Sequence, residues 1–188
     1  MNLVHALKTT EQVNQLRESL SMNNQAKRDV FLLEFGIRCP LRISDMLSLR
    51  VQDIRGISEI TVSELKTGKV NRLPVNNQLA QLITEYTNGM LDTDWVFPSR
   101  KGDKPITRQQ AHRILALASD YCGLAKQGLV VGCHTLRKTF GYKFYNLDPT
   151  RNLTKLQILL NHHMPSTTLR YIGIEAEDIA EQVEGVTF

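Results

Sequence analysis

The stretch Leu160-Asn161-His162-His163-Met164-Pro165-Ser166-Thr167-Thr168-Leu169-Arg170-Tyr171 organises the reading of the whole chain. His162 precedes Tyr171 by nine residues, and the proline and three hydroxyl residues between them predict a turn and the cap of a new helix. Tyrosine serves as a nucleophile when cationic and hydrogen-bonding groups gather around the group it attacks. Three other places in the chain carry such groups: Arg42, Lys66, and the pair His134 and Arg137. The expectation is that these four stretches fold onto one phosphate.

The rest of the composition sets the frame. With 188 residues the chain has room for one substantial domain. A hydrophobic content of 41% and a charged content of 22% fit a folded soluble protein. No apolar run approaches the ~18 residues of a membrane span, and Met1 to Lys8 lacks the basic-then-apolar order of a signal peptide. Cys39, Cys122 and Cys133 have no metal-ligand spacing, which predicts reduced thiols in a cytoplasmic protein. Net charge of +4 permits a nucleic-acid partner, and its distribution says more. Arg100, Lys101, Lys104, Arg108 and Arg113 cluster against one acid, Asp103, whereas the tail from Glu175 to Phe188 holds five acids and no Lys or Arg. A basic face for phosphates and an acidic end pointing elsewhere follow from that polarity.

Periodicity places the motifs on elements. Helices are predicted from Thr10 to Leu20, with Thr9 or Thr10 as cap, and after Asn23 or Asn24. A short helix follows Pro40, with Ile43, Met46, Leu47 and Val51 on one face and Arg42 at its opening, beside a natural anion site. Ile57 to Val62 and Val70 to Val75 read as a β-hairpin closed by Lys66-Thr67-Gly68-Lys69, with Lys66 at the end of a strand. A helix over about Gln78 to Tyr86 and a short buried strand over Asp94 to Pro98 come next. Pro105-Ile106-Thr107 caps a helix whose inward residues are Ala111, Ile114, Leu115, Ala118 and Tyr121. A spacing of three puts His134 and Arg137 on one helix face, with Leu136, Phe140 and Phe144 anchoring the other. Helices from Thr154 to Leu160, around Tyr171, and from Glu175 to Val183 complete a mainly α chain with a small antiparallel β-sheet.

The ordered set resembles the signature of the tyrosine recombinase (phage integrase) family. The family's Gly-x-Arg-x-Ser-Glu/Asp box resembles Pro40-Leu41-Arg42-Ile43-Ser44-Asp45. Its hairpin lysine matches Lys66, its His-x-Leu-Arg box matches His134-Thr135-Leu136-Arg137, and its Leu-Gly-His followed by the nucleophile matches Leu160-Asn161-His162 and Tyr171. The resemblance spans about Thr10 to Ile174. It implies the DNA breaking-rejoining catalytic fold and a site-specific recombinase, whether integrase, resolvase or invertase, acting as a homotetramer on double-stranded DNA sites. An accessory DNA-bending or excisionase protein is an implied partner, and no cofactor or metal is implied.

The chemistry explains the residue types. A hydroxyl attacking a phosphodiester gathers negative charge on the non-bridging oxygens, which two forked arginines hold well. Arg42 and Arg137 are therefore expected on the scissile phosphate, with His162 donating a further bond. Lys66 is implied as the general acid for the leaving 5′ oxygen. His134 is implied either in proton movement at the tyrosine or in fixing the phosphate. Tyr171, beside these cations, is expected to become acidic enough to form a 3′-phosphotyrosyl bond, and Asp45 is expected to orient Arg42. Arg100, Lys101, Lys104, Arg108, Arg113, Lys138 and His163 are the candidate DNA contacts.

Pro40 and Asn161 stand where the family usually has glycine. The separate N-terminal clamping domain the family usually carries has no counterpart, so a naturally short recombinase or a catalytic fragment is expected, with residues 175–188 packing on a neighbouring subunit. Two alternatives come from elsewhere: a DNA-binding regulator that has lost strand exchange, and a type IB topoisomerase. A metal site at His162-His163 is disfavoured because adjacent histidines on a helix diverge.

Overall fold

A computed structural model describes residues 4–174 of the chain. Helix α1 (Thr10–Ser21) begins where Thr9 accepts from the backbone of Gln12 while the Gln12 side chain returns to Thr9, which satisfies two otherwise orphaned donors. Its Val13, Leu16 and Leu20 are buried, as their spacing predicts. Helix α2 (Ala26–Gly36) starts at Gln25 with no side-chain cap; Asn23, a predicted cap, instead donates to Asp29 at 3.0 Å. The short α3 (Ile43–Leu47) has Arg42 at its N-cap. Strands β1 (Glu59–Ser63) and β2 (Val70–Pro74) pair antiparallel, with Ile60 opposite Leu73.

Helix α4 (Asn77–Thr87) is capped by Asn76, and α5 (Arg108–Tyr121) by Thr107 with Gln110. The chain then forms α6 (Cys133–Leu147), α7 (Pro149–Leu160) and α8 (Pro165–Ile172). Two expectations are corrected here. Asp94 to Pro98 is not a strand but makes isolated bridges, Trp95 to Arg50 and Pro98 to Pro105, because no continuous partner lies alongside. Tyr121, predicted inward, is 77% exposed at the last position of α5, where the helix has already left the core.

The main core joins α1, α2, α3, the hairpin, α4 and α5 around Phe31, Phe35, Phe97 and Leu115. Phe31 stacks on Tyr86 at 3.7 Å between centroids, and the Tyr86 hydroxyl donates to Val96 O at 2.6 Å, so the one polar atom of that ring is satisfied. A second cluster, Leu156, Leu160 and Ile172, with Phe140 and Phe144 packed on it, joins α6, α7 and α8. Helix α6 spans the two clusters. Its Leu136 belongs to the first, and its Phe140 and Phe144, one and two turns further along, belong to the second. At Gly141 the helix comes so close to α8 that an added Cβ would stand 2.7 Å from the Ile172 Cγ2. The N-terminal strap also lies along α6: Leu7 N donates to the Thr139 hydroxyl at 2.8 Å, and His5 N to Val130 O at 2.9 Å.

Candidate active site

Four elements converge where α6 meets the turn between α7 and α8. Arg137 projects from α6, is 5% exposed, and donates from Nη2 to Leu160 O at 2.9 Å, the last residue of α7. Its Nε is buried with no hydrogen-bond partner among the described residues. An unmade bond on a buried guanidinium is costly unless an acceptor is supplied. His162 follows the turn; its Nδ1 lies 3.1 Å from the hydroxyl of the fully buried Thr168, which fixes the ring. Tyr171 on α8 is half-buried and meets His162 edge-on at 5.2 Å and His134 edge-on at 6.5 Å between ring centroids.

Arg42 enters from the N-terminus of α3 and pairs with Glu64, a carboxylate 3% exposed just past β1. The expected partner, Asp45, is fully buried but holds the hairpin backbone instead, accepting from Leu65 N at 3.0 Å. Asp45 thus fixes the approach of the hairpin, while Glu64 takes the arginine. The alternation of Ile60 and Val62 on the buried side of β1 carries on to position 64. A carboxylate in that inward register was a readable signal, and it was missed.

The electrostatics follow from burial and from the two arginines. Burial raises the Tyr171 phenol above its ordinary range, and Arg137 and Arg42 pull it back only in part. The expectation of an acidified tyrosine is therefore corrected for the chain on its own: desolvation outweighs the two cations. Burial, then Arg108, Arg137, Lys138 and Arg42, lower His134, and burial with Arg137 and Arg42 lowers His162. Both rings are thus biased to the neutral form, able to accept a proton. Cys133, beside His134 in sequence, has its thiol pushed up to about 11 by burial.

The remaining predicted residues divide. Lys66 is exposed in the hairpin turn, three residues past the end of β1 rather than at a strand end. Lys69 from the same hairpin reaches the α7–α8 turn, its ammonium 3.1 Å from the Asn161 Oδ1. Arg100, Lys101, Lys104, Arg108, Arg113 and His163 are exposed. Arg100, Lys101 and Arg113 line a cleft of about 630 Å³ that also includes Arg28, whereas Arg108 lies close enough to bear on His134. Lys138 does not belong with them. It is 8% exposed, donates to Val4 O at 2.8 Å, and stands 5.5 Å from the centre of the Tyr171 ring, because α6 turns that position toward the N-terminal strap.

Residues 8–177 match the sequence profile of the phage integrase family. A probable integrase/recombinase of Bacillus subtilis, YoeC, is 42% identical over 94% of this chain and 93% of its own length. The type 1 fimbriae regulatory protein FimE of Escherichia coli is 27% identical over 92% of this chain and 87% of its own. A tyrosine recombinase of Pseudothermotoga lettingae is 31% identical, but the chain spans only 51% of it. Among solved structures, the XerA recombinase superposes with a TM-score of 0.72 at 18% identity, covering 98% of this chain and 65% of that one. A lambda integrase dimer bound to a COC′ core site gives 0.72 at 16% identity, over 92% of this chain and 49% of that one.

Proposed function

The chain belongs to the phage integrase family, and from that premise we propose that it is a site-specific DNA recombinase that cuts and rejoins DNA through a 3′-phosphotyrosyl intermediate on Tyr171. The observation that carries this reading is geometric: the α7–α8 turn anchors Arg137 through Leu160 O and delivers His162, whose ring meets Tyr171 edge-on at 5.2 Å, while Arg42 pairs with Glu64, itself bonded to Asn161 of that turn. In the proposed step the phenolic oxygen forms a bond to phosphorus and the bond to the 5′ oxygen breaks. Arg42 and Arg137 hold the non-bridging oxygens, Arg137 with a buried Nε in need of an acceptor, and His162 donates a further bond.

His134, biased to its neutral form, takes the phenolic proton, and Lys66 gives a proton to the leaving 5′ oxygen. Because Lys66 is exposed at the hairpin tip, this assignment requires the hairpin to settle onto DNA. The new bond exchanges one phosphodiester for another, so rejoining needs no nucleotide cofactor. The partner is a double-stranded recombination site, a class supported by the lambda integrase neighbour, which is bound to its core site. A homotetramer with one catalytic domain per chain is the assembly proposed, in the cytoplasm, with an accessory DNA-bending protein as an additional partner.

Tyr171→Phe tests the core of this reading. The variant is expected to bind DNA as the parent does and to form no denaturant-resistant adduct on a substrate nicked beside the cleavage site. An adduct formed by Tyr171→Phe would place the nucleophile elsewhere.

A further inference from the structure

Asn161 is the one non-glycine residue with a left-handed backbone among the described residues, at φ 55° and ψ 46°. Glycine is the usual solution to that conformation, and asparagine tolerates it better than most. Its backbone closes α7 and delivers His162. A glycine would do that equally well, so the side chain calls for a separate explanation. The amide nitrogen donates to Glu64 Oε2 at 3.3 Å, and the amide oxygen accepts from the Lys69 ammonium at 3.1 Å. Both partners belong to the β1–β2 hairpin, more than ninety positions earlier in the chain. Asn71, on β2, makes a longer contact of 3.5 Å to Leu159 O in the same region.

We propose that Asn161 is a positioning residue: its side chain clasps the β1–β2 hairpin to the turn that carries His162. This rests on the reading of the site as that of a recombinase. The clasp has Glu64 as its hub. Glu64 pairs with Arg42, accepts from the Thr67 hydroxyl, and receives the Asn161 amide, so one buried carboxylate ties α3, the hairpin turn and the α7–α8 turn together. The same turn anchors Arg137 through Leu160 O. Releasing Asn161 therefore loosens the hairpin that bears Lys66 and slackens the registration of Arg42 against His162. The arginine charges and the DNA-facing cations are untouched, so the clasp acts on the chemical step and not on DNA affinity.

Asn161→Gly isolates this role, because glycine keeps the left-handed turn and deletes only the amide. Without DNA, amides of residues 64–70 in the variant are expected to exchange with solvent about tenfold faster than in the parent. Single-turnover adduct formation at saturating DNA is expected to fall by about three- to tenfold, with the half-saturating DNA concentration within about twofold. Lys69→Ala removes only the bond to the amide oxygen and leaves the Glu64 bond, so it is expected to produce a smaller fall, and the double variant one no larger than Asn161→Gly alone, since that change already removes both bonds. Parent-like exchange and cleavage in Asn161→Gly, or fully multiplicative effects in the double variant, would overturn the clasp. If the parent itself forms no adduct, the recombinase reading fails while the exchange measurement still decides whether the clasp exists.

Discussion

At the scale of single residues, the site depends on what burial does to charge. Arg137 is nearly fully buried, one end of its fork is committed to Leu160 O, and Nε is left without a partner among the described residues. A lysine would preserve the charge but not the planar, two-ended geometry. Arg137→Lys is therefore expected to lower single-turnover adduct formation by about 10²–10³ at saturating DNA. A rate within about threefold of the parent would show that charge alone suffices at this position. Sequence chemistry put forward Arg42, Arg137, His162 and Tyr171 because attack on a phosphodiester calls for cations and hydrogen-bond donors around a hydroxyl. The partner of Arg42 was misassigned. Asp45 is three residues away in sequence, but the approach of the hairpin brings the buried Glu64 to the guanidinium and turns Asp45 to the Leu65 amide.

At the scale of elements, the position of Tyr171 depends on how closely α8 lies against α6. Gly141 permits that approach, and Ile172, the neighbour of Tyr171, fills the space where a side chain would be. Gly141→Ala would put a methyl group 2.7 Å from a branched side chain whose backbone must then move. Overpacking of this kind typically costs about 1–3 kcal/mol. The displaced helix is the one bearing Tyr171, so the variant is expected to lose both melting temperature and adduct formation, the latter by about tenfold or more. Retained cleavage in a destabilised variant would show that α8 adjusts without moving its tyrosine. The helices themselves were legible: Thr9, Asn76 and Thr107 all cap as their chemistry suggests. The α2 start was not, because Asn23 found a side-chain partner in Asp29 and left the capping position.

At the scale of the whole molecule, the basic stretch after Phe97 divides between two places. Arg108 bears on His134, while Arg100, Lys101 and Arg113 open onto the cleft beside α2. Neutralising Arg100, Lys101 and Arg113 together is expected to weaken DNA binding evenly across sequences and to reduce the salt slope by about one for each phosphate left without its cation. Binding titrations over a range of salt concentrations measure both. An unchanged slope would mean that the cleft does not face the DNA backbone. Lys138, counted with these cations on sequence grounds, belongs to the interior beside Tyr171. The predicted helix at residues 175–188, and its packing on a neighbouring subunit, lie outside the described residues.

The sequence by itself determined most of the helices, the hairpin and their order, and it put forward the candidate reacting groups, because caps, apolar spacing and the chemistry of a tyrosine among arginines are local properties. Tertiary structure alone decided which carboxylate meets Arg42, that Lys138 turns inward, and that Asn161 links the hairpin to the turn before His162. Each of those outcomes joins residues far apart in the chain. Which of several polar candidates becomes a partner is set by which surfaces the core brings within reach, and no local pattern encodes that distance.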